Sequence, residues 1–156
     1  MAANSSARVV TNTGASRDLM IYEYKTVVTF GDTNAEGNMG HDRYASLFGK
    51  ARELLALEFI PNFKNEAGKI FLLKTRSANY DYRRDFFFGD RISVRMTVTQ
   101  VNHASFSLKA EFVNEETDTV HAIGEQLIAY ADMNGKPVGL PKELKNLLMT
   151  VTANIR

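Results

Sequence analysis

The chain has 156 residues, enough for one domain with a buried core and short of two ordinary domains. A formal net charge of +1 at pH 7 gives no sign of a nucleic-acid or membrane surface, and the absence of cysteine excludes disulfides, thiol nucleophiles and thiolate metal sites. The absence of cysteine also favours the cytoplasm, and no stretch approaches the roughly 18 apolar residues of a membrane span. Residues 1–18, rich in Ser, Asn, Thr and Ala, predict a flexible tail without the apolar core of a secretory signal.

The first predicted strand leads through a loop into a long helix. Apolar and polar residues alternate over residues 22–30, which is the period of a half-buried strand. Residues 31–40 are rich in Gly and Asn, which permit sharp turns and expose backbone N–H groups. Helical spacing of apolar residues begins at His41 or Asp42, with Asp42 as a candidate cap, and Pro61 stops the helix.

Four further strands and a short helix follow a predicted loop at residues 62–69. The strands are indicated by apolar–polar alternation between turn residues, over residues 70–82, 92–99, 106–112 and 120–131. Pro141 opens a helix that runs through Leu148, and residues 151–156 are a predicted C-terminal tail. One long helix against consecutive antiparallel strands predicts an α+β domain over residues 19–150, with about five strands wrapped around the helix.

The predicted long helix carries one apolar stripe with a cation at its edge. At roughly 100° per residue, the stripe comprises Tyr44, Leu47, Phe48, Ala51, Leu54 and Leu55. Arg52 falls at the edge of this stripe, beside Ala45 and Gly49. A glycine inside a helix costs about 0.5–1 kcal/mol relative to alanine, so Gly49 points to a packing or ligand role. An arginine that only extends its guanidinium into solvent would look the same in sequence.

The loop before the helix offers polar groups suited to acyl chemistry. Backbone N–H groups at residues 37–39 lie at the positive end of the predicted helix, where they can stabilise a developing oxyanion. Asn34 and Asn38 add amides, while Asp32 and Glu36 are carboxylates able to act as base or nucleophile. Turns select the same residue types for conformational reasons, so the pattern leaves both interpretations open. No zinc spacing is found among the histidines, which are His41, His103 and His121.

These positions resemble a known enzyme family. The pattern D-x-N/D-x-x-G at Asp32–Gly37, after a strand and before a helix, resembles the hot-dog thioesterases of the 4-hydroxybenzoyl-CoA thioesterase type. The resemblance covers residues 22–148. In that family the catalytic carboxylate stands two residues after the first Asp of the loop, and here that residue is Asn34. The resemblance implies a hot-dog fold and a thioester hydrolase that lacks this carboxylate.

Within that family, the loop and the helix more closely resemble the hot-dog thioesterases of enediyne polyketide biosynthesis. Their pattern TN-x-x-GN, followed by a Tyr, a Gly and RE, is matched by Thr33-Asn34, Gly37-Asn38, Tyr44, Gly49 and Arg52-Glu53. The Gly124–Gln126 segment of the last strand is also similar. Enzymes of this group release a β-keto polyene from the acyl carrier protein of an iterative polyketide synthase, and the released acid can lose CO₂. The resemblance implies a carrier protein with a phosphopantetheine-linked acyl chain as partner, and no cofactor.

The resemblance also implies a role for each matched residue. Asn34 would orient water or the carbonyl, Arg52 would hold the β-keto oxygen or the carboxylate that forms, and Tyr44 would hydrogen-bond Arg52 or the substrate. N–H groups around Gly37–Met39 would polarise the thioester oxygen. Glu36 is the rival catalytic group, as a general base. The predicted substrate-binding residues are Gly37, Asn38, Met39, Ala45, Phe48, Gly49, Tyr80 and Tyr82.

Assembly and two alternative functions complete the expectations. The resemblance implies homodimers that pair into tetramers, with the acyl tunnel and the site at a subunit interface. The strand over Tyr80–Arg84 of one chain would face the helix of the other. No nucleic-acid or membrane partner is expected. The alternatives are a general acyl-CoA thioesterase and a non-catalytic hot-dog protein that binds an acyl chain.

Overall fold

The computed structural model describes residues 4–11 and 18–150, with side chains described over residues 21–149. In this part of the chain six strands make one antiparallel sheet: β1 (Asn4–Thr11), β2 (Asp18–Val27), β3 (Leu72–Tyr82), β4 (Arg91–Val101), β5 (Ser105–Asn114) and β6 (Thr119–Ala131). Their order across the sheet is β1-β2-β4-β5-β6-β3, so β1 and β3 form its two edges. The predicted α+β architecture is confirmed.

Three helices accompany the sheet: α1 (His41–Phe59), α2 (Phe63–Glu66) and α3 (Lys142–Thr150). The predicted start of the long helix is confirmed. Gly40 occupies its N-cap position, and Asp42 lies in the first turn without capping it. There its negative charge still favours the positive end of the helix dipole. The helix ends at Phe59, with Ile60 as its C-cap, since Pro61 cannot continue it.

The apolar stripe of α1 packs against the inner face of the sheet. The helix residues buried there are Tyr44, Phe48, Ala51, Leu55 and Ala56. In β4 every second residue faces them, and Ile92, Val94, Met96 and Val98 are fully buried. At the other end of the core, α3 adds the buried side chains Leu144 and Leu148. The core therefore lies between one face of α1 and one face of the sheet, as the two periodicities predict.

Two expectations about connecting segments are wrong. Within the predicted flexible tail, residues 4–11 form β1, paired with β2 from Asn4 opposite Lys25 to Thr11 opposite Asp18. Polar side chains do not prevent this, because the ladder uses backbone groups and the edge of β2 offers unpaired ones. The predicted loop at residues 62–69 contains α2. Residues 1–3, 12–17 and 151–156 of the predicted tails lie outside the described residues.

The edge strand β3 contains a bulge. Its pairing with β6 shifts register between Thr75, opposite Ile128, and Ser77, opposite Leu127. An extra residue in one strand of an antiparallel pair bends that strand and re-aims side chains. On its other side β3 pairs with no strand in the described part of the chain.

Gly124, beneath α1, and Gly49, within α1, differ in how closely other atoms surround them. A Cβ placed on Gly124 in β6 would lie 2.8 Å from Tyr80 Cε1 and 3.0 Å from Phe48 Cδ2. A Cβ placed on Gly49 in α1 would meet nothing within 4 Å. Gly124 thus lets two aromatic rings approach the sheet, whereas Gly49 borders open space.

We expect Gly124→Ala to lower the free energy of unfolding by about 1–3 kcal/mol, the usual cost of overpacking a filled core. Gly49→Ala is the matched control and should raise it by about 0.5–1 kcal/mol, because alanine is the better helix former. Urea unfolding followed by circular dichroism measures both. Equal stability of the two variants would contradict the packing described at Gly124.

Candidate active site

Side chains of α1 contact side chains of the edge strand β3 at three successive turns of the helix. Near the start of the helix, the ring centroids of Tyr44 and Tyr82 are 4.9 Å apart. One turn later, those of Phe48 and Tyr80 are 6.4 Å apart. A further turn along, the Arg52 guanidinium reaches Thr75. The side of α1 that carries Arg52 therefore faces β3.

Small residues leave a groove beside this crossing. Ala45 and Gly49 project from the same side of α1 as Arg52. Ala45 is exposed, and the space next to Gly49 is open. We call the surface between α1 and β3 that carries Ala45, Gly49, Arg52, Tyr80 and Tyr82 the α1–β3 groove. The open space at Gly49 agrees with the predicted room beside the cation.

The Arg52 side chain is held by two polar partners. Its Nη1 donates to Thr75 Oγ1 at 2.8 Å and to Gln126 Oε1 at 3.0 Å. The Gln126 amide is 6% exposed, and its Nε2 donates to the Tyr80 hydroxyl at 3.1 Å. Arg52 is thus a fixed, partly buried cation rather than one extended freely into solvent.

Partial burial of Arg52 affects its pKa and the strength of its electrostatic interactions. Desolvation lowers the pKa of the Arg52 guanidinium below its usual range, while the neighbouring Glu53 acts in the opposite direction. Arginine nevertheless remains charged in proteins. A cation with part of its hydration removed interacts more strongly with an anionic or polarised oxygen than one in bulk water. The groove therefore suits an enolate, keto or carboxylate oxygen.

Tyr44 is placed differently from the expectation. Its ring is 3% exposed and packs against Tyr82, Phe86 and Phe112. Burial, with a contribution from Asp85, raises its pKa to about 12, so the hydroxyl stays protonated and can donate a hydrogen bond as well as accept one. The predicted hydrogen bond between Tyr44 and Arg52 is absent from the described residues, because Arg52 turns towards the sheet.

Asn34 and Glu36 lie in the exposed loop before α1. The Glu36 N–H donates to Asn34 Oδ1 at 2.9 Å, so this amide oxygen shapes the turn. Both side chains are exposed, and no described residue donates a hydrogen bond to the Glu36 carboxylate. The Glu36 carboxylate therefore lacks the buried surroundings that are typical of a general base.

The predicted backbone donors are mostly occupied. The Gly37 N–H donates to Asn34 O at 3.0 Å, and the Met39 N–H donates to Phe86 O at 2.8 Å. Among described residues the Asn38 N–H has no acceptor, and the buried Asn38 Oδ1 has no partner. Of the three predicted oxyanion donors, the Asn38 N–H is thus the one without an acceptor among the described residues.

The loop and Arg52 are far apart within one chain. Arg52 follows His41 by eleven positions in α1, so their Cα atoms are about 16 Å apart along the helix axis at about 1.5 Å per residue. A thioester carbonyl and its β-keto oxygen belong to neighbouring carbons. Along the helix, the loop before α1 and Arg52 are thus separated by much more than two neighbouring carbons.

Two predicted substrate-binding side chains belong to the core. Phe48 is fully buried, and Met39 is 5% exposed. Their surfaces are covered by the chain itself. Thr75 was not predicted as a site residue. The bulge in β3 determines where its side chain points, and no local sequence pattern indicates that bulge. It also missed a cavity of about 440 Å³ beyond Arg52, between α1, α2 and β3, whose lining includes Ala56, Leu57, Phe63, Leu72 and Leu73.

The described residues contain neither a cluster of metal-binding side chains nor a membrane-spanning helix. Over that part of the chain no group of three or more His, Asp or Glu side chains could hold a metal ion. No described helix is long and apolar enough to cross a membrane.

Comparison with known proteins decides the family. The profile of the Thioesterase-like superfamily matches residues 28–148, which include the loop, α1, β3 and β6. The chain belongs to the thioesterase-like superfamily. A curated protein of Aquifex aeolicus (strain VF5), named "Putative esterase", is 26% identical over 132 residues, which are 83% of this chain and 98% of that protein.

Solved structures share the fold of this thioesterase-like chain. The Dynemicin thioesterase, studied for polyene binding, has a TM-score of 0.81 and 24% identity, covering 86% of this chain and 99% of its own. A 1,4-dihydroxy-2-naphthoyl-CoA thioesterase from Synechocystis has a TM-score of 0.76 and 20% identity, covering 83% of this chain and 96% of its own. The predicted hot-dog fold is confirmed, and the superfamily is that of the predicted enzyme class, a thioester hydrolase.

Proposed function

We propose that the protein hydrolyses a β-ketoacyl or polyene thioester carried by the acyl carrier protein of an iterative polyketide synthase, as in enediyne biosynthesis. The observation that carries this proposal is Arg52, a partly desolvated cation fixed by Thr75 and Gln126 beside the open space at Gly49. A β-keto thioester offers a second polarised oxygen that such a cation binds. Similarity to the Dynemicin thioesterase supports the same substrate class.

The reaction needs water and no further reactant. Water adds to the thioester carbonyl carbon, the C–S bond breaks, and the sulfur leaves as the thiol of the phosphopantetheine arm. The Asn38 N–H and the Asn34 amide are the donors nearest the attacked carbonyl, and Arg52 holds the β-keto oxygen. The β-keto acid formed can then lose CO₂. No catalytic carboxylate takes part in this scheme.

Two copies of the chain form each site in this proposal. Since Arg52 lies about 16 Å along α1 from the helix start that follows the loop, the Asn38 N–H and Arg52 act on one thioester in this proposal when they come from different copies. The unpaired edge of β3 is the surface on which a second copy would add. Two-fold pairing along β3 runs the two α1 helices in opposite directions, so the start of one approaches the middle of the other. Pairing of such dimers gives the proposed tetramer.

The acyl chain and the carrier arm occupy opposite ends of the groove. The cavity of about 440 Å³ beyond Arg52 is mostly apolar and suits the acyl chain. At the other end, Arg84 is exposed and forms no ion pair with a described residue. It supplies a cation for the phosphate of the phosphopantetheine arm.

A comparison of carriers tests the proposed function. We expect a β-ketoacyl chain on an acyl carrier protein to be hydrolysed with a kcat/KM at least about tenfold above that of the same chain on CoA, the ratio that about 1.4 kcal/mol of additional carrier contacts produces. Release of free thiol measures both reactions. If the protein hydrolyses neither of the two thioesters, the proposal is refuted.

A general acyl-CoA thioesterase is the second candidate. The Synechocystis structure, a CoA thioesterase of similar fold, favours it. The same assay separates the two, because this candidate requires the CoA thioester to react at least as fast. If Glu36→Gln lost more than about 100-fold in rate, the loop carboxylate would be the general base that activates water, and the scheme without a catalytic carboxylate would be wrong.

A further inference from the structure

We propose that the Tyr80 hydroxyl donates a second hydrogen bond to the oxygen that Arg52 binds, and that Gln126 is the positioning residue that makes it a donor. The inference rests on the proposed function and deepens it, since it names a second group that recognises the β-keto oxygen.

The direction of the hydrogen bonds follows from Arg52. A guanidinium can only donate, so the Gln126 group 3.0 Å from Arg52 Nη1 must be the amide oxygen. The other end of the amide is then the NH₂ group, which lies 3.1 Å from the Tyr80 hydroxyl. That hydroxyl accepts from Gln126 and keeps its own proton for another acceptor. No described residue accepts this proton.

The tyrosine ring is held rigidly enough to aim this proton. A side chain on Gly124 would lie 2.8 Å from Tyr80 Cε1, so the ring rests directly on the backbone of β6. The edge-on ring of Phe48 lies on one side, at 88° between planes, and the ring of Tyr82 stacks at 6.1 Å. A donor fixed before the ligand arrives loses little freedom on binding.

Burial keeps the hydroxyl in the donor state. Desolvation raises the pKa of Tyr80, and the contributions of Gln126 and Arg52 oppose this rise without reversing it. Tyr80 therefore remains protonated at neutral pH. Arg52 and Tyr80 bind opposite ends of one buried amide, which keeps the guanidinium and the hydroxyl close enough to contact one ligand oxygen.

The decisive variants are Tyr80→Phe and Gln126→Glu. Removing the hydroxyl should lower kcat/KM for the β-ketoacyl thioester about tenfold, as expected for one neutral hydrogen bond. A carboxylate at position 126 still accepts from Arg52, but it also accepts from Tyr80 and takes the free proton. Gln126→Glu should therefore lose activity to the same degree, and the double variant Q126E/Y80F should lose no more than either single one.

A binding measurement separates this inference from the proposed function. A 3-oxoalkyl pantetheine thioether keeps the keto group but has CH₂ in place of the thioester carbonyl, so it cannot be hydrolysed. Its dissociation constant should rise about tenfold in Tyr80→Phe. Tyr130→Phe is the matched control, since it removes a hydroxyl from another half-buried tyrosine of the sheet, outside the groove. Wild-type binding without hydrolysis would refute the thioesterase proposal and leave Tyr80 as a ligand donor.

Three outcomes would overturn the inference. One is a Tyr80→Phe variant that matches Tyr130→Phe in both hydrolysis and binding. Another is additive losses in Q126E/Y80F, since the two changes would then remove different interactions. The third is a wild-type protein that neither hydrolyses the thioester nor binds the thioether.

Discussion

Replacing Arg52 by alanine is expected to lower kcat/KM for β-ketoacyl thioester hydrolysis by about 100- to 1,000-fold, the range seen when one preorganised donor to a reacting oxygen is removed. The change deletes the cation and leaves the buried Gln126 amide oxygen without its donor. Thiol release measures the rate. Lys50→Ala is the matched control: it removes an exposed cation from the same helix, one that lies over the Tyr24 ring at 5.7 Å. An Arg52→Ala enzyme as active as the Lys50→Ala enzyme would refute the role.

Mixing two impaired variants tests whether the site is shared between copies. When one copy carries Arg52→Ala and the other Asn34→Ala, one site of the mixed dimer holds both changes and the other holds neither. Mixed dimers should then recover up to about half of the wild-type rate per dimer. If the loop and Arg52 of the same chain act together, every site in the mixture carries a change and no activity returns.

Phe48→Ala is expected to have the largest effect on folding, with a loss of about 3–5 kcal/mol in the free energy of unfolding. The ring is fully buried and lies against Tyr80, Phe112 and the backbone at Gly124, so its removal leaves a cavity that rigid neighbours cannot fill. Urea unfolding gives the value. Leu57→Ala on the exposed face of α1 is the control, with a change within about 0.5 kcal/mol. A loss below about 1 kcal/mol for Phe48→Ala would show that the core relaxes around the missing ring.

The long helix and most strands follow from local patterns. The apolar spacing after His41 and the stop at Pro61 are local signals, and they predict α1 closely. β1 was missed because its formation depends on the free edge of β2, which the sequence of residues 4–11 does not encode. The short helix α2 lacks an apolar period long enough to detect.

The candidate site was predicted in part, for a similar reason. Helical geometry correctly put Arg52 at the edge of the stripe beside Gly49. Its partners come from strands far away in sequence, and only the folded sheet shows that Gln126 and Thr75 reach it. The Met39 N–H was counted as free because its acceptor, Phe86 O, belongs to a segment far away in sequence, whereas the acceptor of the Gly37 N–H, Asn34 O, lies in the loop itself.

The bulge in β3 determines which side chains can share the groove. Thr75 and Tyr80 are five positions apart, and in a regular strand an odd separation puts side chains on opposite faces of the sheet. The register shift between Thr75 and Ser77 reverses that parity, so both side chains point towards α1. A single additional residue in the backbone thereby gives Arg52 its hydroxyl partner while Tyr80 keeps its place. The number of residues in β3, and not only their identity, is part of the specification of this site.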